Sequence, residues 1–229
     1  MLLDKQDSLN IKNEPYEPVE VALIKFLLKP EHMALDIGAH IGYFTVLMAK
    51  HCFKVIAFEP ERLNFATLQK NINLINNVIL YNAAVMEFSG QKSLYGCDNN
   101  SGMHRMYQSR WTPYTWDIVR TVRLDEILNH EQIDFIKMDI EGAEYAALKG
   151  MQYILKNSKP ILLMEFHPPS IEEYGASPEE EYHFLKTLGY SIRLIPKISI
   201  PISFEELDKE TRKESGRNIL CLPQDQTLF

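Results

Sequence analysis

The sequence predicts an α/β fold, a mostly parallel sheet with helices on both faces. Three observations predict it. Short apolar runs of about five residues (33–37, 53–58, 133–138 and 160–164) alternate with stretches whose apolar residues recur at helical spacing. One run ends in a glycine turn that leads straight into a helical pattern, Phe44, Leu47 and Met48. Acids stand where the runs stop, at Glu59, Asp139 and Glu165. In an open α/β sheet the crevice beyond the carboxyl ends of the strands is where ligands bind.

Composition sets the outer limits. The chain has 229 residues, 45% apolar and 24% charged, with net charge -7. That suits one sizeable domain over residues 16–229, and disfavours wrapping a polyanion, so no nucleic-acid partner is expected. Cys52, Cys97 and Cys221 are scattered and odd in number, without ligand spacing. Reduced thiols in a cytoplasmic protein are expected, with no structural metal. Residues 1–15 read as a loose leader, lacking the basic and apolar regions of a signal peptide. No run reaches the roughly 18 apolar residues of a membrane span.

The glycine turn points to the ligand. The segment reads Leu35-Asp36-Ile37-Gly38-Ala39-His40-Ile41-Gly42. A nicotinamide fingerprint has G-x-G-x-x-G and brings helix amides to a pyrophosphate. Here the glycines are spaced G-x-x-x-G, and Asp36 would repel a pyrophosphate. S-adenosyl-L-methionine, with an ammonium, a sulfonium and no phosphate, suits that carboxylate. An ordinary strand-to-helix turn is the plain alternative.

The elements follow in order. Pro18 opens a helix whose apolar face is expected at Val19, Leu23, Phe26 and Leu27, and Pro30 ends it. The strand over 53–58 ends at Glu59-Pro60, where a doubly wound fold places an acid on ribose hydroxyls. Phe65, Leu68 and Ile72 mark the next helix. A third strand ends near Asn82-Ala83-Ala84-Val85. There Asn82 either bonds the adenine, with Ala83 leaving room for the ring, or makes a turn.

Residues 86–124 form an insertion, with a hairpin turn at Ser89-Gly90, a loop at Asp98-Asn99-Asn100-Ser101-Gly102 and short strands at 92–95 and 121–124. Trp111 and Trp116 either wall a lid over the acceptor or pack on the core. After a short helix from Asp125, the strand over 133–138 runs into Asp139-Ile140-Glu141-Gly142-Ala143-Glu144. Ala143, Ala146 and Ala147 then form a small helix face that can lie close on the sheet. The strand over 160–164 leads into Glu165-Phe166-His167-Pro168-Pro169. Ser177-Pro178-Glu179-Glu180 is a capping box. The last strands are expected over 190–195 and 218–222, with a surface excursion between them.

These pieces together resemble the FkbM family of S-adenosylmethionine-dependent methyltransferases. The resemblance runs from about Tyr16 to His167. It rests on the glycine turn, on Ala57-Phe58-Glu59-Pro60, on Asn82-Ala83-Ala84, on Leu124-Asp125-Glu126-Ile127-Leu128, and on Ile136-Lys137-Met138-Asp139-Ile140-Glu141-Gly142-Ala143-Glu144 with Leu148-Lys149-Gly150. His40 stands where the family has Asn. The resemblance implies a Rossmann-like class I methyltransferase fold, a seven-stranded sheet whose last strand is antiparallel. It also implies methylation of hydroxyls on sugars or secondary metabolites.

The expected cofactor contacts are Asp36, Gly38, His40, Gly42, Glu59, Asn82, Ala83 and Asp139. The catalytic candidates are His167, Glu165 and Asp139. His167 has a side chain suited to a base near neutral pH, and Glu165 falls on the same side of the strand. His167 shaping a turn before two prolines is the alternative. A non-catalytic adenosylmethionine-binding domain and a nicotinamide-dependent oxidoreductase compete with the O-methyltransferase reading.

Overall fold

The computed structural model describes residues 16–96, 104–128, 130–213 and 217–224. The leader over 1–15, Cys97 and the loop over 98–102 lie outside the described residues.

The main sheet has seven strands. They are β1 (Met33–Ile37), β2 (Lys54–Phe58), β3 (Val78–Tyr81), β7 (Phe135–Met138), β8 (Ile161–Phe166), β9 (Tyr190–Leu194) and β10 (Arg217–Pro223). Their order is β3-β2-β1-β7-β8-β10-β9. The pairs among β3, β2, β1, β7 and β8 are parallel. The last strand, β10, runs antiparallel between β8 and β9. The order reverses at β1, which lies between β2 and β7, and that switch point opens the ligand crevice.

Strand alternation builds two apolar layers. Leu35, Ile37, Ile56, Phe58, Ile136 and Met138 face one way, onto a layer with Ala147, Leu148, Ile154, Leu155 and Leu185. Ala34, Val55, Phe135 and Leu163 face the other, onto Leu23, Ile24, Leu27, Phe44 and Met48. Both faces of the central strands are therefore covered, as their continuous apolar character requires.

The helices around the glycine turn are α1 (Pro18–Leu27), α2 (Tyr43–Ala49) and α3 (Arg62–Asn71). The buried stripe of α1 is Glu20, Leu23, Ile24 and Leu27. The expected face was offset: Val19 and Phe26 are 40% and 62% exposed. The stripe includes an acid because the Asn218 side-chain amide donates to Glu20 at 3.1 Å.

A second, three-stranded sheet has the order β4-β6-β5, from β4 (Ala84–Val85), β5 (Gly90–Gly96) and β6 (Tyr114–Val122). The chain leaves β3 at Tyr81 and enters β4 at Ala84. The remaining helices are α4 (Leu124–Ile127), α5 (Glu144–Lys149), α6 (Gln152–Asn157), α7 (Pro168–Tyr174), α8 (Pro178–Thr187) and α9 (Phe204–Lys213). Ser177 caps α8: its Oγ accepts from the Glu180 N–H at 3.3 Å. The stretch expected as a surface excursion contains α9, which buries Leu207 and Thr211 and packs on α7 and α8. Among the described residues no helix is long and apolar enough to cross a membrane.

Candidate active site

A cavity of about 230 Å³ opens beyond the carboxyl ends of β1, β2 and β7. Its wall includes Asp36, Gly38, His40, Glu59, Ala83 and Asp139. Six of the sequence-designated cofactor positions thus converge on one space.

The glycine turn is fastened to β2. The N–H groups of Gly38 and Ala39 both donate to the Phe58 carbonyl, each at 3.0 Å. Gly38 has φ +86°, and a Cβ there would sit 1.9 Å from the Asp139 carbonyl oxygen. Only a residue without a side chain lets the β1 and β7 ends approach so closely. His40 also adopts a left-handed φ of 50°, a conformation in which Asn, Asp and His are over-represented. That turns its N–H toward Glu59.

Glu59 is buried at the end of β2. Its Oε2 accepts from the His40 N–H and its Oε1 from the Glu61 N–H, each at 2.8 Å. Burial pushes its carboxyl up to about 7, against the lowering effect of the two N–H donors. The Asn64 side chain is a third donor to this carboxylate, which leaves one lone pair for a further donor.

Asp36 is 1% exposed. The Thr45 hydroxyl donates to its Oδ2 at 2.5 Å, and its Oδ1 is buried without a hydrogen-bond partner. Burial pushes this carboxyl up to about 6, with Lys137 acting in the opposite sense. Lys137, 3% exposed on β7, places Nζ 2.9 Å from Asp139 Oδ2. Burial alone would lower the lysine, but Asp139, Glu17 and Asp36 together hold it above its ordinary value.

Sequence reasoning did not name several wall residues as site residues: Tyr16, Lys137, His104, Met106 and Glu141. Glu141 has a left-handed φ of 58° and binds the buried Arg105, Nη2 to Oε2, at 3.0 Å. Burial first, then Asp139, raises its carboxyl to about 7. The crowding of acids after β7 was the available signal. Arg105, 36 residues earlier, was not recoverable from local pattern.

The other designated residues lie outside this wall. Gly42, with φ +93°, makes room for Leu68; a Cβ there would meet Leu68 Cδ1 at 2.5 Å. Asn82 donates its side-chain amide to the carbonyls of Glu59 and Pro60, at 2.8 and 3.0 Å. It thus braces the turn behind Glu59.

Glu165 and His167 end β8. Burial, with Asp139, Glu141 and Glu144 nearby, holds Glu165 well above the usual carboxylate range. His167 precedes α7, and its Nδ1 lies 2.6 Å from Ser170 Oγ. Burial first, then Arg105, lowers its pKa. A chain of contacts links it to the wall: Ser170 bonds Tyr107, whose hydroxyl accepts from Arg105 Nη1 at 3.0 Å, and Arg105 holds Glu141.

The tryptophans also stand back from the cavity. Trp116 donates Nε1 to Glu61 at 3.2 Å and packs its ring 5.0 Å from that of His104. The insertion reaches the wall through His104, Leu94 and Met106, while Trp111 is exposed.

Comparison with known proteins finds methyltransferases. A curated relative, Methyltransferase 1 of Beauveria bassiana, is 25% identical over 142 residues, which are 51% of this chain and 57% of that protein. The 2-O-methyltransferase NoeI of Sinorhizobium fredii is 25% identical over 158 residues, 61% of this chain and 65% of that protein. The chain thus matches somewhat over half the length of each. Among solved structures, the FkbM methyltransferase from Methylobacillus flagellatus superposes with TM-score 0.56 at 19% identity, over 85% of this chain and 44% of that one. SMU.1697c, a putative methyltransferase from Streptococcus mutans in complex with SAH, gives 0.52 at 13% identity, over 90% and 96%. These likenesses establish a class I methyltransferase fold. The sequence profile of the methyltransferase FkbM domain matches residues 36–192, and the chain belongs to that family.

Proposed function

We propose that this protein is an S-adenosylmethionine-dependent O-methyltransferase acting on a hydroxyl of a sugar or other small metabolite. The observation that carries the reading is the meeting of Asp36, Glu59 and Asp139 around one glycine turn in one cavity. The residues fit the cofactor. Asp36 Oδ1 is a buried acceptor without a donor, and Gly38 leaves the space a side chain would fill. Asp36 beside the glycine turn argues against a dinucleotide, whose pyrophosphate would face it. The relative named as a 2-O-methyltransferase supports oxygen as the acceptor atom.

When bound, the cofactor supplies a methyl group already activated on a sulfonium. The chain aligns and desolvates. Glu59 accepts from a ribose hydroxyl, Ala83 floors the adenine, and Asp36 and Asp139 face the amino-acid end beside Lys137. His104 and Met106 cover the cavity from the insertion and keep water out. Glu59 and Glu141 on the wall are both raised to about 7; with Glu59 given to the ribose, Glu141 takes the acceptor proton, in place of His167 or Glu165, which lie outside the wall. Residues 16–229 act together as one catalytic domain. Cys52 and Cys221 are free and buried, which accords with a cytoplasmic setting.

S-adenosylhomocysteine should raise the melting temperature, while NAD and NADP should not. Release of S-adenosylhomocysteine, followed across a panel of sugars, then separates an enzyme from a binding domain. With a responding acceptor, Glu141→Gln should lose about 10²–10⁴-fold in turnover. No response to S-adenosylhomocysteine would reject the cofactor.

A further inference from the structure

The second sheet carries a buried cation to the strand ends of the first. Arg105 stands between His104 and Met106, both on the cavity wall. Its backbone is paired with β5: the Arg105 N–H donates to the Tyr95 carbonyl at 2.9 Å, and the Tyr95 N–H donates back at 2.8 Å. Its side chain is buried and fans out over three acceptors. Nη2 lies 3.0 Å from Glu141 Oε2, and Nη1 lies 3.0 Å from the Tyr107 hydroxyl and 3.4 Å from Glu173 of α7. Glu141 is also fixed at its root. Gly142, next in the chain, has φ +99°, and a Cβ there would meet the Ser170 carbonyl oxygen at 2.6 Å. The turn that bears Glu141 is therefore packed closely against α7.

We propose that Arg105 is the positioning residue for Glu141: it holds the carboxylate on the cavity wall and favours its ionised form. This rests on the reading of Glu141 as the base and deepens it. Arg105 engages one oxygen of Glu141 and leaves the other for the acceptor hydroxyl. As the hydroxyl oxygen bonds the methyl carbon and the carbon–sulfur electron pair returns to sulfur, the hydroxyl proton passes to Glu141 and then to water. Most groups facing Glu141 oppose its ionisation. Asp139, Glu144 of α5 and Glu165 of β8 are acids, and Tyr16 and Tyr107 are neutral hydroxyls. Lys137 acts in the favourable sense, but its Nζ is engaged with Asp139. Among the described residues Arg105 is the cation in contact with Glu141. A guanidinium stays charged across the working range, and its planar fork fixes a carboxylate as a point charge does not.

Isotope-edited NMR of carboxyl-labelled glutamate follows Glu141 in the ligand-free protein, its signal identified by its loss in Glu141→Gln. Arg105→Met should move the Glu141 titration midpoint up by about one pH unit or more, the effect of removing an opposite charge in contact. Arg105→Lys should keep the midpoint close to that of the wild type. Unchanged binding of S-adenosylhomocysteine shows that the variants are folded. If Arg105→Met does not fold, Arg105→Gln replaces it, with the same shift expected. An unmoved midpoint in the folded variant overturns the proposal. With a sugar that responds as acceptor, the acidic limb of kcat against pH should move up with the midpoint, and Arg105→Lys should restore it. A merely structural role would lower kcat at every pH and leave the limb in place, which also overturns the proposal. Normal turnover in Glu141→Gln overturns the base reading and this proposal with it. Lost turnover in Glu141→Gln beside an unmoved limb in Arg105→Met overturns this proposal alone.

Discussion

Asp36 and Lys137 are register partners across the parallel pairing of β1 and β7, and both are almost wholly buried. A carboxylate and an ammonium side by side in the centre of a sheet are held by mutual need. Removing the lysine leaves the buried acid without its counter-ion. The lysine also reaches Asp139, just past the end of its own strand, so it serves two acids.

Lys137→Met should therefore destabilise the protein by about 3–5 kcal/mol, despite keeping the volume of the side chain. Urea denaturation of the ligand-free protein measures this. A loss below about 1 kcal/mol would show that Asp36 and Asp139 take up protons without penalty.

Glu59→Ala should weaken S-adenosylhomocysteine binding by roughly tenfold to a hundredfold, the worth of a charge-assisted hydrogen bond from the ribose diol. The same change frees the N–H groups of His40 and Glu61, so the variant's melting temperature belongs beside the calorimetry. Normal affinity in a folded Glu59→Ala protein removes Glu59 from the ribose.

Stability of the ligand-free protein should depend on pH through the buried acids. Glu59 is raised from an ordinary value of 4.5 to about 7, and Asp36 from 3.8 to about 6. An acid with a higher pKa when folded binds more protons in the native state than in the unfolded state, so stability falls as pH rises. The fall attributable to Glu59 runs between about 4.5 and about 7 and levels above that window. Thermal unfolding across it should show a declining Tm, and Glu59→Gln should flatten part of the decline. An identical slope in Glu59→Gln assigns the effect to the other acids.

His167→Ala should leave cofactor affinity unchanged and reduce turnover by less than about tenfold, because His167 reaches the wall only through Ser170, Tyr107 and Arg105. A loss approaching the roughly 10²–10⁴-fold of a general base, measured where chemistry limits the rate, would return that role to His167.

The strand–turn–helix from Met33 to Ala49 was legible because its signals are local: an apolar run, two glycines and a helical repeat. The small-residue helix face at Ala143, Ala146 and Ala147 was legible in the same way, and all three are buried. The helix α9 was not. Its buried positions, Leu207 and Thr211, are separated by charged residues, and one of the two is polar. Nor could pattern show that Arg105 would meet Glu141, or that Trp116 would back His104 instead of facing the cavity. Those contacts form only when the second sheet folds against the first. Asn82 was placed at the right strand end, but a side-chain amide serves backbone carbonyls as readily as a ligand, and sequence alone does not separate the two.

The passage from β3 to β4 takes two residues, Asn82 and Ala83. The chain spends them crossing from one sheet to the other, and Ala83 is itself part of the cavity wall. The second sheet is thus joined to the first through the cavity wall, and its Val85 and Val122 share the core of the first. The exposed residues of its hairpin, Tyr114 and Ile118 among them, stand clear of β1, β2 and β7. Under the function proposed above, changes in that hairpin would alter the acceptor side of the cavity and leave the glycine turn beneath it as it is.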